Sequence, residues 1–364
     1  MRHPIAAKAP VVVKVGSSSL TSSSLAGRES GLDDSAIASV IDMVAEAMEA
    51  AHPTVLVTSG AVAAGLPALK LSKRPADLAG LQVAAAVGQG FLMERYTAGF
   101  KAKGIIAGQV LLTRDVLGNR DQYLNARAAL TRMLGLGIVP VVNENDTVTV
   151  EELRLGDNDK LAALASHLVT AELMLILTDT EGLYTADPRL VDGQFLSEVA
   201  YFDEVLDGLS GSGPLGSGGV AGKVAAARMA AHSGVPTIIA SAKTPNLIKQ
   251  ALAGEPIGTW IDPRAERLPA RKLWIAFGLE AAGSLVVDEG AVAALVEHDR
   301  SLLPVGITEV KGGFGAESAV DVLGPDGRIV GKGLAAIESD ELIGLIGQKG
   351  SREAIHRDDL VILR

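Results

Sequence analysis

The chain has 364 residues, of which 48% are hydrophobic and only 3% aromatic, so it can fill one large aliphatic core and a second smaller one. It contains no cysteine, which excludes disulfides, thiolate zinc sites and cysteine nucleophiles. The six histidines show no metal-ligand spacing, and we predict no metal-binding residues. No uncharged apolar run approaches the ~20 residues that a membrane span needs, so we expect a soluble cytoplasmic protein without a membrane partner.

The formal net charge of −10 is concentrated at the end of the chain. Residues 275–364 carry 15 acidic and 8 basic side chains, a net charge of −7. Non-specific nucleic-acid binding needs clustered lysines and arginines, so we do not expect a nucleic-acid partner.

Short aliphatic strands alternate with helical patterns through the first 240 residues. The spacing predicts a strand at Val11–Val15 and an amphipathic helix over 33–51, capped by Asp33 or Asp34. Helices are also predicted after residue 58, through 123–134 and from about residue 160. Further strands are predicted at 54–58, 107–112, 139–142, 173–177 and 237–240, the last of which closes the series. This alternation indicates an α/β fold, a mainly parallel sheet with helices on both faces that binds ligands at the carboxyl ends of its strands.

The composition changes near residue 262. Residues 262–272 are polar and contain two prolines, which is typical of a linker. The turn Gly324-Pro325-Asp326-Gly327, between strands at 320–323 and 328–330, indicates a β-rich second domain. We therefore predict a first, α/β domain at 8–262, a linker at 263–274 and a second domain at 275–364.

Two carboxylate–amide clusters lie at the edges of buried elements. Asn143-Glu144-Asn145-Asp146 follows an apolar strand, and Gly156-Asp157-Asn158-Asp159-Lys160 precedes a helix. Burying such groups without partners costs several kcal/mol each, so a ligand with ammonium groups, or a metal, is expected to pair with them. An EF-hand is excluded because Leu161 and a missing glycine break its pattern, so ammonium groups are the better partners and no residue is assigned to a metal.

Two motifs follow predicted strands and suit anions. Lys14 interrupts the first strand and precedes Gly16, whose backbone N–H can approach a phosphate; an edge-strand lysine followed by an ordinary turn is the alternative. Ser59 opens a helix after the second strand, where the N-terminus suits a carboxylate or phosphate. For Ser59, the simpler interpretation as a helix N-cap is favoured on the motif alone.

The glycine-rich stretch 211–223 imitates two nucleotide-binding motifs and satisfies neither. Its G-x-G-x-x-G follows no strand, and Ser217 and Val224 break the Walker A pattern that ends at Gly222-Lys223. A mobile glycine-rich loop and a lysine opening a helix at 223–231 nevertheless suit a nucleotide phosphate. A surface loop without function is the alternative.

In chain order, these motifs resemble the glutamate 5-kinases of the amino-acid-kinase superfamily. The resemblance covers nearly the whole chain, and its tail resembles the PUA domain of bacterial members. It rests on Lys14-Val15-Gly16-Ser17, Thr58-Ser59-Gly60-Ala61, the two carboxylate–amide clusters, Leu177-Thr178-Asp179, the segment 182–188, Gly218-Gly219 before Lys223, and the tail segments 288–291, 301–306 and 356–359.

The resemblance implies an amino-acid-kinase fold with a small β-rich, PUA-like barrel domain. It implies ATP-dependent phosphorylation of the γ-carboxylate of L-glutamate to L-glutamyl 5-phosphate, the first step of proline biosynthesis, with ATP and Mg²⁺ as cofactors. Proline is then the expected feedback inhibitor, and a homo-oligomer is expected.

The resemblance also assigns roles by position. The catalytic residues would be Lys14, Asp159 and Lys223, with Asp159 orienting the two lysines. Glutamate would be bound by Ser59, Asp146 and Asn158. ATP would be held by Lys14, Thr178, Asp179, Ser217, Gly218, Gly219, Val220, Ala221, Gly222 and Lys223. The family commonly has threonine where Ser217 and Gly222 stand, which puts a side-chain contact from Gly222 in doubt.

Other activities share many of these features. A kinase of the same fold acting on N-acetylglutamate, aspartate, a carbamate or a nucleoside monophosphate would share the sheet and the lysines. Asp146 favours a substrate with a free α-ammonium group, which N-acetylglutamate lacks. An RNA-associated PUA protein is a second alternative, and the acidic tail argues against it.

Overall fold

The structure is a computed structural model that describes residues 2–23, 29–113, 116, 119–148, 158–186, 193–210, 218–348 and 352–363. The chain forms two compact units, Met1–Arg267 and Leu268–Arg364. The predicted linker, 263–274, spans the junction between these units and contains a short helix, Ala270–Leu273. The predicted domain boundaries stay a prediction.

The first unit alternates strands and helices, as predicted. Its strands are β1 (Val11–Val15), β2 (Thr21–Ser23), β3 (Glu29–Leu32), β4 (Thr54–Val57), β5 (Ile106–Leu112), β6 (Ile138–Glu144), β7 (Leu173–Thr178), β8 (Leu183–Tyr184), β9 (Phe195–Leu196), β10 (Glu198–Val199), β11 (Thr237–Ser241) and β12 (Thr259–Ile261). Its helices are α1 (Asp34–Glu49), α2 (Ala61–Gly65), α3 (Leu78–Ala102), α4 (Arg120–Gly135), α5 (Asn158–Leu168), α6 (Glu204–Ser210), α7 (Gly218–His232) and α8 (Leu247–Ala253). A 3₁₀ turn covers Ser17–Ser19.

Among the described residues, eight strands form one sheet in the order β10-β12-β11-β7-β1-β4-β6-β5. The pairings are parallel except that of β11 with β12, so the prediction of a mainly parallel sheet is confirmed. The prediction that the strand at 237–240 closes the series is wrong, because β12 and β10 continue the sheet beyond β11. These two strands have only three and two residues, too few for a periodic pattern.

The two faces of the sheet are separated by the alternation of side chains along each strand. Val11, Val13 and Val15 of β1 pack into a hydrophobic core that also holds buried residues of α1, α3 and α8. Val12 and Lys14 therefore point to the opposite face, where α5 packs against β1, β4 and β7. Helix α1 begins as predicted, because Asp33 accepts hydrogen bonds from the N–H groups of residues 35 and 36.

The second unit is β-rich, as predicted. Its described residues form five strands, β13 (Gly283–Val287), β14 (Ile307–Lys311), β15 (Ala319–Leu323), β16 (Ile329–Leu334) and β17 (Leu360–Ile362), in the sheet order β14-β13-β15-β16-β17. Its helices are α9 (Ala270–Leu273), α10 (Glu289–His298) and α11 (Ser339–Leu345), with a π-helical turn at Trp274–Gly278 and 3₁₀ turns at Pro304–Gly306 and Arg357–Asp359. The predicted turn at 324–327 joins β15 to β16. In neither unit does a described helix have the length and apolarity that crossing a bilayer requires.

Candidate active site

Two lysines converge on one buried carboxylate in the first unit. The ammonium of Lys14 lies 2.5 Å from Oδ1 of Asp159, and the ammonium of Lys223 lies 3.4 Å from Oδ2 of the same side chain. Asp159 is fully buried, Lys14 is 2% exposed and Lys223 is 16% exposed. The sequence placed these three residues in one site, and the structure brings them together.

The fold explains why these side chains meet. Lys14 is the fourth residue of β1 and lies on the face that α5 covers, and Asp159 is the second residue of α5. Lys223 comes from α7, which packs against α5. Three elements, the first and last of which lie more than 200 residues apart in the sequence, therefore supply one cluster with two positive charges and one negative charge.

Helix α7 begins earlier than the sequence indicated. The glycines Gly218, Gly219 and Gly222 were predicted to lie in a loop before a helix at 223–231, but the helix starts at Gly218. Lys223 therefore lies in the second turn, where its ammonium also donates a 3.2 Å hydrogen bond to the carbonyl oxygen of Gly219. Its reach toward the helix N-terminus comes from a long side chain that points back along the helix, and not from a place at the helix start.

An amide cluster lies beside the lysine cluster. The Nδ2 of Asn158 donates hydrogen bonds to the carbonyl oxygen of Thr58 at 2.9 Å, to Oγ of Ser59 at 2.9 Å and to Oδ1 of Asn143 at 3.0 Å. Because Asn158 precedes Asp159, one helix start serves both clusters. The structure thus joins the predicted pair Ser59 and Asn158, and it connects both predicted carboxylate–amide clusters through Asn143.

The interpretation of Ser59 as a helix N-cap is wrong. Helix α2 is preceded by Gly60, which has φ 102° and supplies no capping side chain. This left-handed conformation favours glycine, because a Cβ would be strained there. The hydroxyl of Ser59 is consequently available to accept the hydrogen bond from Asn158.

Strand register brings further predicted residues to the same edge of the sheet. Lys14 is level with Val57 of β4 and Ile176 of β7. Thr58 follows β4, and Thr178 is the last residue of β7 and is 8% exposed. Its hydroxyl donates to Oδ1 of the exposed Asp179 at 3.2 Å. Thr178 and Asp179, two of the predicted ATP ligands, therefore lie at the end of a strand directly adjacent to that of Lys14.

The remaining predicted residues lie in the turn after β6, in α7 or outside the described residues. Asp146 is partly buried in the turn after β6, three residues beyond Asn143. Gly218, Gly219, Val220, Ala221 and Gly222 all lie in the first turns of α7. Ser217, Gly156 and Asp157 lie outside the described residues.

Sequence reasoning missed a second layer of polar residues supplied by α3. Asn143 donates from Nδ2 to Oε1 of Gln89 at 2.8 Å, and Thr58 shares a 2.8 Å hydrogen bond between its hydroxyl and that of Tyr96. Burial raises the pKa of the Tyr96 phenol, so this hydroxyl stays protonated. Asn143 belongs to the first predicted carboxylate–amide cluster, although the sequence indicated no role of its own for it. Gln89 and Tyr96 lie seven residues apart on an Ala- and Gly-rich helix, and nothing in the pattern marks them.

The charges of the site suit an anion. Two ammonium groups face one carboxylate at a largely buried position, where Coulomb attraction is stronger than in water. Among the described residues, no group of three or more histidine, aspartate or glutamate side chains is placed to hold a metal ion. The site can therefore bind a phosphate group through lysines on one side and a small polar molecule through amides on the other.

Comparisons with known proteins agree with this geometry. The amino acid kinase family matches residues 9–241, and the PUA domain matches residues 283–356. Over its full length the chain is 43% identical to a glutamate 5-kinase from Thermobifida fusca (strain YX), of which it covers 95%. Over 97% of its length it is 46% identical to a glutamate 5-kinase from Thioalkalivibrio sulfidiphilus (strain HL-EbGR7), of which it covers 96%. The chain therefore belongs to the glutamate 5-kinases of the amino acid kinase family and carries a PUA domain in its second unit.

Proposed function

We propose that the chain transfers the γ-phosphoryl group of ATP to the γ-carboxylate of L-glutamate, and that the cluster of Lys14, Asp159 and Lys223 is its catalytic centre. The observation that carries the proposal is the convergence of two lysines on one buried carboxylate. Family membership supports the reaction, and the cluster supports the assignment of roles.

The chemistry needs charge stabilisation more than proton transfer. A carboxylate is already ionised near neutral pH, so one of its oxygens can attack the γ-phosphorus directly. A new O–P bond forms, the bond from phosphorus to the bridging oxygen breaks, and ADP leaves with that electron pair. The barrier lies in repulsion between two anions and in their alignment, which positioned positive charges reduce.

Within this scheme the two lysines have related tasks. Lys14 is held rigidly by Asp159, so its ammonium needs no reorganisation when charge moves on the phosphoryl oxygens. Lys223 is more exposed, and from the second turn of α7 its ammonium reaches back toward the helix start, where free N–H groups also favour anions. Asp159 aligns both ammonium groups, and its negative charge offsets the repulsion between them.

ATP would be held at the same strand edge by Thr178, Asp179 and the first turns of α7, including Gly218 and Gly222. Mg²⁺ prefers few protein ligands and several phosphate or water oxygens, so we expect it to enter bound to the ATP phosphates. It would neutralise charge on the polyphosphate.

The amide cluster would hold the amino-acid substrate. Asn158 has its Nδ2 engaged by protein acceptors, which leaves its Oδ1 suited to an ammonium group. Asp146 would supply the opposing charge for the same α-ammonium. Proline carries the same α-amino and carboxylate groups, so we expect it to compete at this site.

The direct test is ADP release with and without L-glutamate in the presence of Mg²⁺ and ATP. We expect glutamate to stimulate ADP release, whereas N-acetylglutamate, aspartate and carbamate should stimulate it only slightly. Trapping the acyl phosphate with hydroxylamine as a hydroxamate identifies the product. Equal ADP release with and without glutamate would remove the proposal.

A further inference from the structure

Three carboxamide side chains form a continuous row of hydrogen bonds behind the proposed substrate site. Asn158 Nδ2 donates to Asn143 Oδ1 at 3.0 Å, and Asn143 Nδ2 donates to Gln89 Oε1 at 2.8 Å. The three residues come from α5, β6 and α3, so these hydrogen bonds link the three elements across the site. Gln89 has no role in the function proposed above.

Two backbone groups show which way each of the three side-chain amides is turned. An amide can be turned over without changing its shape, so its orientation must follow from its partners. The backbone N–H of Glu144 donates to Asn143 Oδ1 at 2.9 Å, and a backbone N–H can only donate. The carbonyl oxygen of Thr58 accepts from Asn158 at 2.9 Å, and a carbonyl oxygen can only accept. Asn143 Nδ2 and Asn158 Nδ2 are therefore the donors, and Gln89 must present its oxygen.

This orientation leaves two buried polar atoms without a partner among the described residues, Asn158 Oδ1 and Gln89 Nε2. Native proteins seldom leave such atoms unsatisfied, because desolvation without a hydrogen bond is unfavourable. Asn158 Oδ1 is an acceptor next to the lysine cluster. A ligand with an ammonium group is the partner that would satisfy it.

The position of Gln89 is set by close helix packing. The neighbouring Gly88 lies against α2, where a Cβ would overlap the carbonyl oxygen of Ala61. Helix α2 starts two residues after Ser59, so α3 and the substrate-site turn are held at a fixed separation. Gln89 is therefore presented by a rigid element, as a residue that orients others must be.

We propose that Gln89 is a positioning residue for the amino-acid substrate: its Oε1 holds Asn143 in the orientation that keeps Asn158 Oδ1 free for the substrate ammonium. It acts through Asn143 and does not itself need to contact the substrate. This inference rests on the proposed function, because it assumes that Asn158 reads the amino-acid substrate.

The test compares Gln89→Met, which removes the acceptor, with Gln89→Glu, which keeps an oxygen for Asn143. We expect Gln89→Met to raise the KM for glutamate about tenfold, the scale of one hydrogen bond left unmade. The kcat and the KM for ATP should change by less than about twofold, as for lost ground-state binding. Gln89→Glu should keep the KM for glutamate within about threefold of the wild type.

The control is Gln109→Met, the same chemical change at an exposed glutamine on β5. It should leave all three constants unchanged. Thermal unfolding of each variant is measured alongside, and Gln89→Leu takes the place of Gln89→Met if the latter does not fold.

Two outcomes would overturn the inference while wild-type enzyme still phosphorylates glutamate. If Gln89→Met leaves the KM for glutamate unchanged, the amide chain has no positioning role. If Gln89→Glu loses as much as Gln89→Met, the Nε2 of Gln89 matters and positioning through Asn143 is wrong. Failure of wild-type enzyme to use glutamate instead counts against the proposed function, so the two failures are distinguishable.

Discussion

The ammonium of Lys14 lies 2.5 Å from Oδ1 of Asp159, and neither side chain is more than 2% exposed. Such a pair is held tightly, because both charges have lost most of their water and their mutual attraction offsets part of that loss. Lys223 reaches the same carboxylate from a more exposed position, so one side chain aligns two ammonium groups that differ in exposure to solvent.

Asp159→Asn keeps the shape of the side chain and removes its charge. We expect the free energy of unfolding to fall by about 3 to 5 kcal/mol, because the buried ammonium of Lys14 loses its carboxylate. Turnover should fall as well, because both lysines lose their alignment. Urea unfolding checks the first effect and ADP release the second. An unfolding midpoint equal to that of the wild type would show that the pair is not structurally coupled as described.

Lys223→Ala removes the more exposed of the two ammonium groups. We expect turnover to fall at least ~10²-fold, the scale for losing one charge-stabilising donor, with little change in unfolding. The matched control is Lys249→Ala on α8, where the lysine is 60% exposed and lies 3.7 Å from Glu46. That change should leave turnover unaltered. Near-normal turnover of Lys223→Ala would contradict the charge-stabilising role assigned to Lys223.

Ser59→Ala and Asn158→Ala should affect glutamate binding to different extents. Ser59 supplies only one of three acceptors for Asn158 Nδ2, so its loss should raise the KM for glutamate by about fivefold. Asn158→Ala removes the substrate-facing oxygen itself and should raise it by at least about fiftyfold. Steady-state kinetics at saturating ATP give both values. A larger effect from Ser59→Ala would mean that the hydroxyl, and not the amide, contacts glutamate.

The sequence indicated the main parts of the fold and the site because strand-end motifs are local. Lys14, Thr178 and the clusters around Asp146 and Asn158 each stand directly beside an aliphatic run. Parallel strands place such motifs at one edge, so their meeting follows from the pattern.

What the sequence did not indicate depends on contacts between distant elements. Gln89 and Tyr96 meet the site through Asn143, on the strand that follows their helix, and Thr58, directly after the strand that precedes it. No periodicity along α3 encodes those distances. The early start of α7 was missed for another reason. Its first turns are rich in glycine, which has low helix propensity, and packing against α5 overrides that preference.

Acid should destabilise the first unit through two buried histidines. Burial, with smaller effects of nearby arginines, lowers the pKa of His167 and of His232 to about 4. The unfolded chain has a histidine pKa near 6.5, so it binds more protons between pH 6.5 and 4. The stability that these two neutral histidines contribute is therefore fully present above about pH 6.5 and is lost as the pH falls toward 4.

His232→Gln isolates the contribution of one of these groups, which packs edge-on against Tyr201 with ring centroids 5.2 Å apart. The variant should be less stable than the wild type at pH 7.5 because that contact is lost. Between pH 7.5 and 4.5 the difference should shrink by roughly 2 to 3 kcal/mol, the linkage of one depressed pKa. Urea unfolding at several pH values measures it. A constant difference across this range would show that His232 titrates normally in the folded protein.

Two glycines of α3 should respond in opposite ways to the same substitution. A Cβ on Gly88 would overlap the carbonyl oxygen of Ala61, whereas a Cβ on Gly90 would meet nothing within 4 Å. Gly90→Ala should stabilise the protein by about 0.5 to 1 kcal/mol, because alanine restricts the unfolded chain and favours helix. Gly88→Ala must push α2 away from α3, and we expect a loss of about 1 to 3 kcal/mol or more.

The Gly88→Ala substitution should also raise the KM for glutamate, since α2 begins beside Ser59 and Gln89 is the next residue on α3. Gly90→Ala should leave that KM unchanged. Thermal unfolding and glutamate kinetics on the same two preparations separate stability from site geometry. If Gly88→Ala is destabilised while its KM for glutamate stays at the wild-type value, the helix crossing supports the fold without setting the positions of Ser59 and Gln89.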